Sequence, residues 1–183
     1  MNLKPIMRIL CHQREDRTYK VCDNYLLVCG RCLGIYIGFF FSFIVLLLIY
    51  GFFTRSVNVL YAFALIIPMV IDGMSQAFNL RESKNWIRFI TGYLAGLSVA
   101  YIFYAIISVI LATPRFAKLP YFEFIPIAAV MLFLLFILEK SQNSKIIFLK
   151  KFFNSIAIFS AVFLVFGVII LYALLFLKLK FFS

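Results

Sequence analysis

From residue 33 onward the sequence is written almost wholly in apolar residues, in runs long enough to cross a bilayer. A hydrocarbon core about 30 Å thick takes roughly 20 apolar residues per helix. Five stretches meet that length, at about 33–53, 57–80, 86–112, 121–138 and 152–177. In lipid every backbone N–H and C=O must be paired within the chain, so such runs fold as helices. The breaks carry charge or proline: Thr54-Arg55-Ser56, Arg81-Glu82-Ser83-Lys84-Asn85, Thr113-Pro114-Arg115, and the stretch from Glu139 to Lys151. Hydrophobic residues make up 65% of the chain, charged residues 14%, and 24 of its 183 residues are Phe. That lies outside the range of soluble domains. The reading is an all-α, polytopic membrane helix bundle of about five transmembrane helices over 33–183, preceded by a Cys/His-containing segment, 1–32.

Two of the breaks are short, so the first three spans are expected to pack as antiparallel neighbours. Residues 1–32 lack the apolar core of a signal peptide, and none is expected. There is no internal repeat and no soluble second domain, and the last two spans read as scaffold. The net charge of +11 calls for no nucleic-acid partner, because Lys and Arg gather in cytoplasmic loops and beside anionic headgroups. Lys4, Arg8, Arg14, Arg17, Lys20, Arg31, Arg81, Lys84, Arg88, Lys140, Lys145, Lys150 and Lys151 fall on one side of the five spans, thirteen in all. Arg55, Arg115, Lys118, Lys178 and Lys180, five in all, fall on the other. The N-terminus is therefore expected in the cytoplasm of a multi-pass inner or plasma-membrane protein, and the C-terminus outside.

All four cysteines and the only histidine lie in the first 32 residues: Cys11-His12-Gln13, Cys22 and Cys29-Gly30-Arg31-Cys32. Two cysteines three apart can grip one metal ion or join as a disulfide. In a reducing cytosol such a cluster points to metal or to catalysis rather than to a permanent cross-link. The metal reading takes Cys29, Cys32 and Cys11 as ligands, with His12, Cys22, Asp72 or water as the fourth. Cys11 ranks above His12, since neighbouring side chains diverge. Zinc is the default for thiolate-rich tetrahedral sites, and an open fourth position would make it catalytic. The redox reading uses Cys29 and Cys32 alone, at a helix N-terminus beside Arg31, where a thiol pKa falls. A third reading makes the cysteines small buried hydrophobes.

The second span carries Pro68, Asp72-Gly73, Gln76, Asn79 and Arg81. If the span ends at Leu80, Asp72 lies roughly 12 Å inside its helix at 1.5 Å per residue. A carboxylate at that depth costs several kcal/mol unless paired, metal-bound or hydrated, so it marks a functional site by default. The structural alternative is a protonated Asp72, or one that caps a backbone gap opened by Pro68. Asp72 and Gln76 share a helix face. Gly34-x-x-x-Gly38 and Gly92-x-x-x-Gly96 fall near the entrances of spans one and three, a spacing that lets helices touch closely in lipid. Among the arginines, Arg31 and Arg88 stand closest to helix entrances and are expected to hold an anionic small molecule or lipid headgroup. Arg14, Arg17, Lys20 and Lys84 read as positive-inside anchors.

These residues together resemble an uncharacterised prokaryotic integral membrane protein family, the domain of unknown function 2085. Its pattern is CHQ…R, CxRCxGIYxG, DGxxQ and RESxNxxRxxTG. The chain reads Cys11-His12-Gln13 with Arg14 and Arg17, then Cys29-Gly30-Arg31-Cys32-Leu33-Gly34-Ile35-Tyr36-Ile37-Gly38. It continues with Asp72-Gly73-Met74-Ser75-Gln76 and Arg81-Glu82-Ser83-Lys84-Asn85-Trp86-Ile87-Arg88-Phe89-Ile90-Thr91-Gly92. The resemblance spans about residues 9–100, leaves Cys22 outside the pattern, and implies no reaction.

The sequence therefore predicts a cytoplasm-facing site in which Cys11, Cys29 and Cys32 bind a zinc-like divalent metal, with His12 or Asp72 completing or supporting the shell. Gln13 and Gln76 would orient the ligands through hydrogen bonds, and Arg31 and Arg88 would bind the anion. A binding or structural role is favoured over an enzyme of lipid or anionic-metabolite chemistry. A thiol-disulfide oxidoreductase using Cys29 and Cys32, and an ion or small-solute transporter with Asp72 in its pathway, are the alternatives. The oligomeric state stays open.

Overall fold

The computed structural model describes residues 11–21, 24–50, 59–111, 124–141 and 147–182. Among these, five helices are long and apolar enough to cross a membrane. They are α1 (Gly30–Tyr50), α2 (Val59–Ala77), α3 (Asn85–Leu111), α4 (Phe124–Ser141) and α5 (Ile147–Phe182). The chain is an all-α membrane bundle, as its apolar runs require. Cys22, Lys4, Arg8, Lys145 and the breaks at Thr54-Arg55-Ser56 and Thr113-Pro114-Arg115 lie outside the described residues, with Lys118.

Helix edges depart from the apolar runs for local reasons. The first helix begins at Gly30 rather than at 33, because the Leu33 N–H already bonds the Cys29 carbonyl at 2.9 Å. Its first turn therefore runs through the Cys-x-x-Cys. The second stops at Ala77, three residues early. There Asn79 turns left-handed (φ 53°), with Asn79 N–H on the Gln76 carbonyl (3.2 Å) and Leu80 N–H on that of Ser75 (2.9 Å). This is the Schellman closure, which asparagine tolerates. The expected break from Glu139 to Lys151 is helical at both ends, since α4 reaches Ser141 and α5 starts at Ile147. Glu and Lys are good helix formers, so charge ends the apolar run without ending the helix. With 36 residues, α5 is about 54 Å long at 1.5 Å per residue, well beyond the hydrocarbon core.

The tightest contact joins α1 to α3 through the two glycine pairs. A β-carbon added at Gly34 would overlap the Phe89 carbonyl and stand 2.8 Å from the Tyr93 nitrogen. One added at Gly96 would overlap the Ile35 carbonyl and stand 2.7 Å from the Phe39 nitrogen. Backbone lies against backbone here, as small-residue spacing permits in lipid. Below this contact Phe39, Phe43 and Phe103 interlock edge to face (5.7 and 5.5 Å between centroids), and Phe163 of α5 joins them.

Residues 11–21 and 24–29 pack on the same core. They form a single 3-10 turn (Glu15–Arg17) and an antiparallel pair, β1 (Lys20–Val21) and β2 (Asn24–Tyr25), with Lys20 opposite Tyr25. Tyr19, Val21, Leu26 and Val28 are buried with the helix side chains. The Leu27 N–H bonds Asn154 Oδ1 of α5 at 3.0 Å, which ties the segment to the last helix.

Candidate metal centre

Three thiols converge where the N-terminal segment meets α1. Cys29 and Cys32 lie one helical turn apart at the start of α1 and share a face. Two residues after Cys11, Gln13 takes a left-handed φ of 47°. The buried Cys11 sulfur lies against the helix start, where it accepts the Cys29 N–H at 3.2 Å. The Gln13 backbone bonds the same sulfur. The three sulfurs lie within 4.8 Å of one another, and all three cysteines are free.

Thiol hydrogen bonds from Cys29 and Cys32 hold the Cys11 thiol well below its ordinary range. Its hydrogen bond with Cys11 pushes the Cys29 thiol up. The hydrogen bonds within the trio thus favour the thiolate at Cys11 and the thiol at Cys29. Bringing all three to thiolate takes a cation. Around a tetrahedral ion with Zn–S bonds near 2.3 Å, sulfurs stand about 3.8 Å apart. Closing the trio onto such an ion moves sulfurs by no more than about 1 Å.

The other residues expected in this shell stand elsewhere. His12 is exposed and lines a separate cavity with Lys150 and Asn154, so the adjacent Cys11 and His12 do diverge. Gln13 donates from Nε2 to the Leu27 carbonyl at 3.1 Å and braces the loop that leads into Cys29. Asp72 is outside the sulfur group and anchors a second cluster.

That cluster is a charged hub linking three helices. Asp72 is 1% exposed. Its carboxylate pairs with Arg31 of α1 and, at 3.3 Å, with Arg81 of the α2–α3 turn. Gln76 donates to the same carboxylate at 2.9 Å and to the Asp72 carbonyl at 3.0 Å. Because α2 ends at Ala77, Asp72 stands five residues from its end, about 7.5 Å at 1.5 Å per residue. The shorter distance lets Arg81 fold back to it. Asp72 is a paired carboxylate near the end of α2, not an isolated one.

The Gln76 amide oxygen in turn accepts from Arg88 at 3.4 Å. Arg88 also donates to Asn85 Oδ1 (3.0 Å) and to the Asp16 carbonyl (3.4 Å), joining α3 to the N-terminal segment. Arg31 and Arg88, paired in the sequence reading, thus do different work: Arg31 neutralises Asp72, while Arg88 lines an open cavity. Arg14, Arg17 and Lys84 line that cavity too, although they read as mere anchors. No local spacing separates an anchor from a lining residue, since both are charges next to an apolar run.

A family model described as "Predicted membrane protein (DUF2085)" matches residues 11–103, the stretch that holds both the thiol trio and the hub. An uncharacterized protein of Methanothermobacter thermautotrophicus (strain Delta H) is 43% identical over 93 residues, covering 51% of this chain and 83% of that protein. An uncharacterized protein of Methanocaldococcus jannaschii is 36% identical over 104 residues, covering 54% of this chain and 64% of that one. No solved structure matches the chain.

Proposed function

The chain belongs to the DUF2085 family, and from that premise we propose a multi-pass inner or plasma-membrane protein that holds a zinc-like ion on Cys11, Cys29 and Cys32 at its cytoplasmic face. The observation that carries this is the convergence of three free sulfurs within 4.8 Å, drawn from two separate stretches of chain. Soft thiolates select zinc or similar metals. Backbone N–H groups aimed at Cys11 favour its thiolate form. The role is binding or structural: the ion fastens the N-terminal segment to the entrance of α1 and leaves a fourth position for water or an added ligand. Next to it, Arg88 holds an anionic ligand. Engagement of both Asp72 oxygens by arginines supports a latch between helices rather than an ion path.

Metal analysis of the protein purified under reducing conditions tests this. One equivalent of zinc is expected in the wild type and less than a tenth of that in Cys29→Ser. Wild-type protein without stoichiometric metal overturns the reading. The proximity of Cys11 to both members of the Cys-x-x-Cys favours a second reading, thiol–disulfide exchange at Cys29 and Cys32. Trapping of thiols in cells under oxidant challenge tests it, and it fails if both stay reduced.

A further inference from the structure

A cavity of about 830 Å³ opens where the N-terminal segment meets the α2–α3 turn. That volume belongs with small-molecule sites rather than single-ion sites. Five basic and three acidic side chains line it, an excess of two positive charges. Some of the acid is already spoken for, since Arg14 and Arg17 share Asp16 at 3.3 and 3.4 Å. Arg88 is the anomaly. It is only 8% exposed, yet its guanidinium meets neutral oxygens alone, those of Asn85, Gln76 and the Asp16 backbone. Its Nε is buried with no acceptor. A buried cation with no carboxylate in direct contact is costly, and an incoming anion lowers that cost.

We infer that this cavity binds a phosphate monoester, gripped by Arg17, Arg81 and Arg88. A monoester carries close to two negative charges at neutral pH, which matches the excess in the lining. Its oxygens suit the forked donors of guanidinium groups. Trp86, 42% exposed, lines the cavity, and Phe78 and Leu80 of the adjoining turn are exposed apolar side chains, a composition that suits the bilayer interface. Aromatic residues gather at that level. The ester is either soluble or the headgroup of an anionic lipid, and both present the same phosphate. The proposal deepens the anion-binding part of the proposed function and is independent of its metal part.

Trp86 is the chain's single tryptophan, so its fluorescence reports on this cavity alone. The full chain in neutral detergent is titrated with inorganic phosphate, with glycerol 3-phosphate, and with phosphatidic acid in mixed micelles. Saturable changes absent with chloride at equal ionic strength are expected, weakened at least about tenfold in Arg88→Gln. Arg17→Gln, at the rim, is expected to weaken binding several-fold with the fold intact, and it answers the question if Arg88→Gln does not fold. Saturation by glycerol 3-phosphate supports a soluble ester, and saturation by phosphatidic acid alone supports a lipid headgroup. No response beyond chloride, or wild-type affinity in both variants, overturns the proposal. Zinc measured in the same samples separates the two readings: phosphate binding without zinc removes only the metal centre, and zinc without phosphate binding removes only this site.

Discussion

The two halves of the bundle are built on different principles. Helices α1 and α3 have 50% and 61% of their spanning residues buried inside the protein, against 22% and 17% for α4 and α5. The first pair is held by backbone-to-backbone glycine contact and ringed by polar ties. The second pair turns much of its apolar surface outward, with Phe133, Phe136, Phe166 and Ile169 exposed. Helix α2 sharpens the lesson. It is the least buried of the five, 11% by the same measure, yet it carries the most buried carboxylate among the described residues. In a bilayer apolar area contributes little to helix association, because lipid is as apolar as leucine. What fixes the first half is therefore close backbone packing and charge pairing, and what distinguishes the second is their scarcity.

The largest expected effect comes from closing the α1–α3 gap. Gly96→Ala is expected to destabilise the protein by at least about 3 kcal/mol, since the added methyl meets backbone that cannot rotate away. Gly167→Ala of α5 meets the end of the Phe103 ring at 2.8 Å, which can turn aside, so about 1 kcal/mol or less is expected. Denaturant titration in detergent measures both, and equal losses would break the contrast. Next comes Asp72→Asn, which leaves Arg31 and Arg81 facing a neutral group. A loss of about 3 kcal/mol is expected, whereas Glu139→Gln on α4 should change stability by no more than about 0.5 kcal/mol. An Asp72→Asn variant as stable as Glu139→Gln would refute the latch.

Removal of metal should act on one region alone. A strong chelator is expected to free residues 11–29 to added protease while α1–α5 stay helical by circular dichroism. Global unfolding on chelation would mean that the centre holds the bundle rather than the segment. The smallest effect concerns the Leu27–Asn154 hydrogen bond from the segment to α5. Asn154→Ala strands the Leu27 N–H and should cost about 1 kcal/mol, while Phe166→Ala, facing outward, should cost about 0.5 kcal/mol or less. A larger loss at Phe166 would show that the second half packs on something beyond this chain.

Much of this was legible in the residues. The apolar runs located four helices to within three residues at each end and the fifth to within five, and the two Gly-x-x-x-Gly pairs named the helices that touch. The Cys-x-x-Cys named its own partner by spacing, and the ranking of Cys11 above His12 rested on the divergence of adjacent side chains. Other features were not legible. The Schellman turn at Asn79 shortened α2 and changed the depth of Asp72, a small angular event with no signature in an apolar run. Asn154 sits in an otherwise featureless helix, and its value comes only from the loop opposite it. Arg31, next to the thiols in sequence, points its charge to Asp72 instead.

The sequence by itself determined the membrane-spanning class, the approximate spans and the inventory of reactive groups, because length, apolarity and charge are sums over neighbouring residues. Only the tertiary structure decided which group meets which. Cys11 reaches Cys29 across 18 residues, and Arg31 reaches Asp72 across 41. Such pairings depend on where helices stop and how closely their backbones approach, and both are set by packing rather than by local sequence.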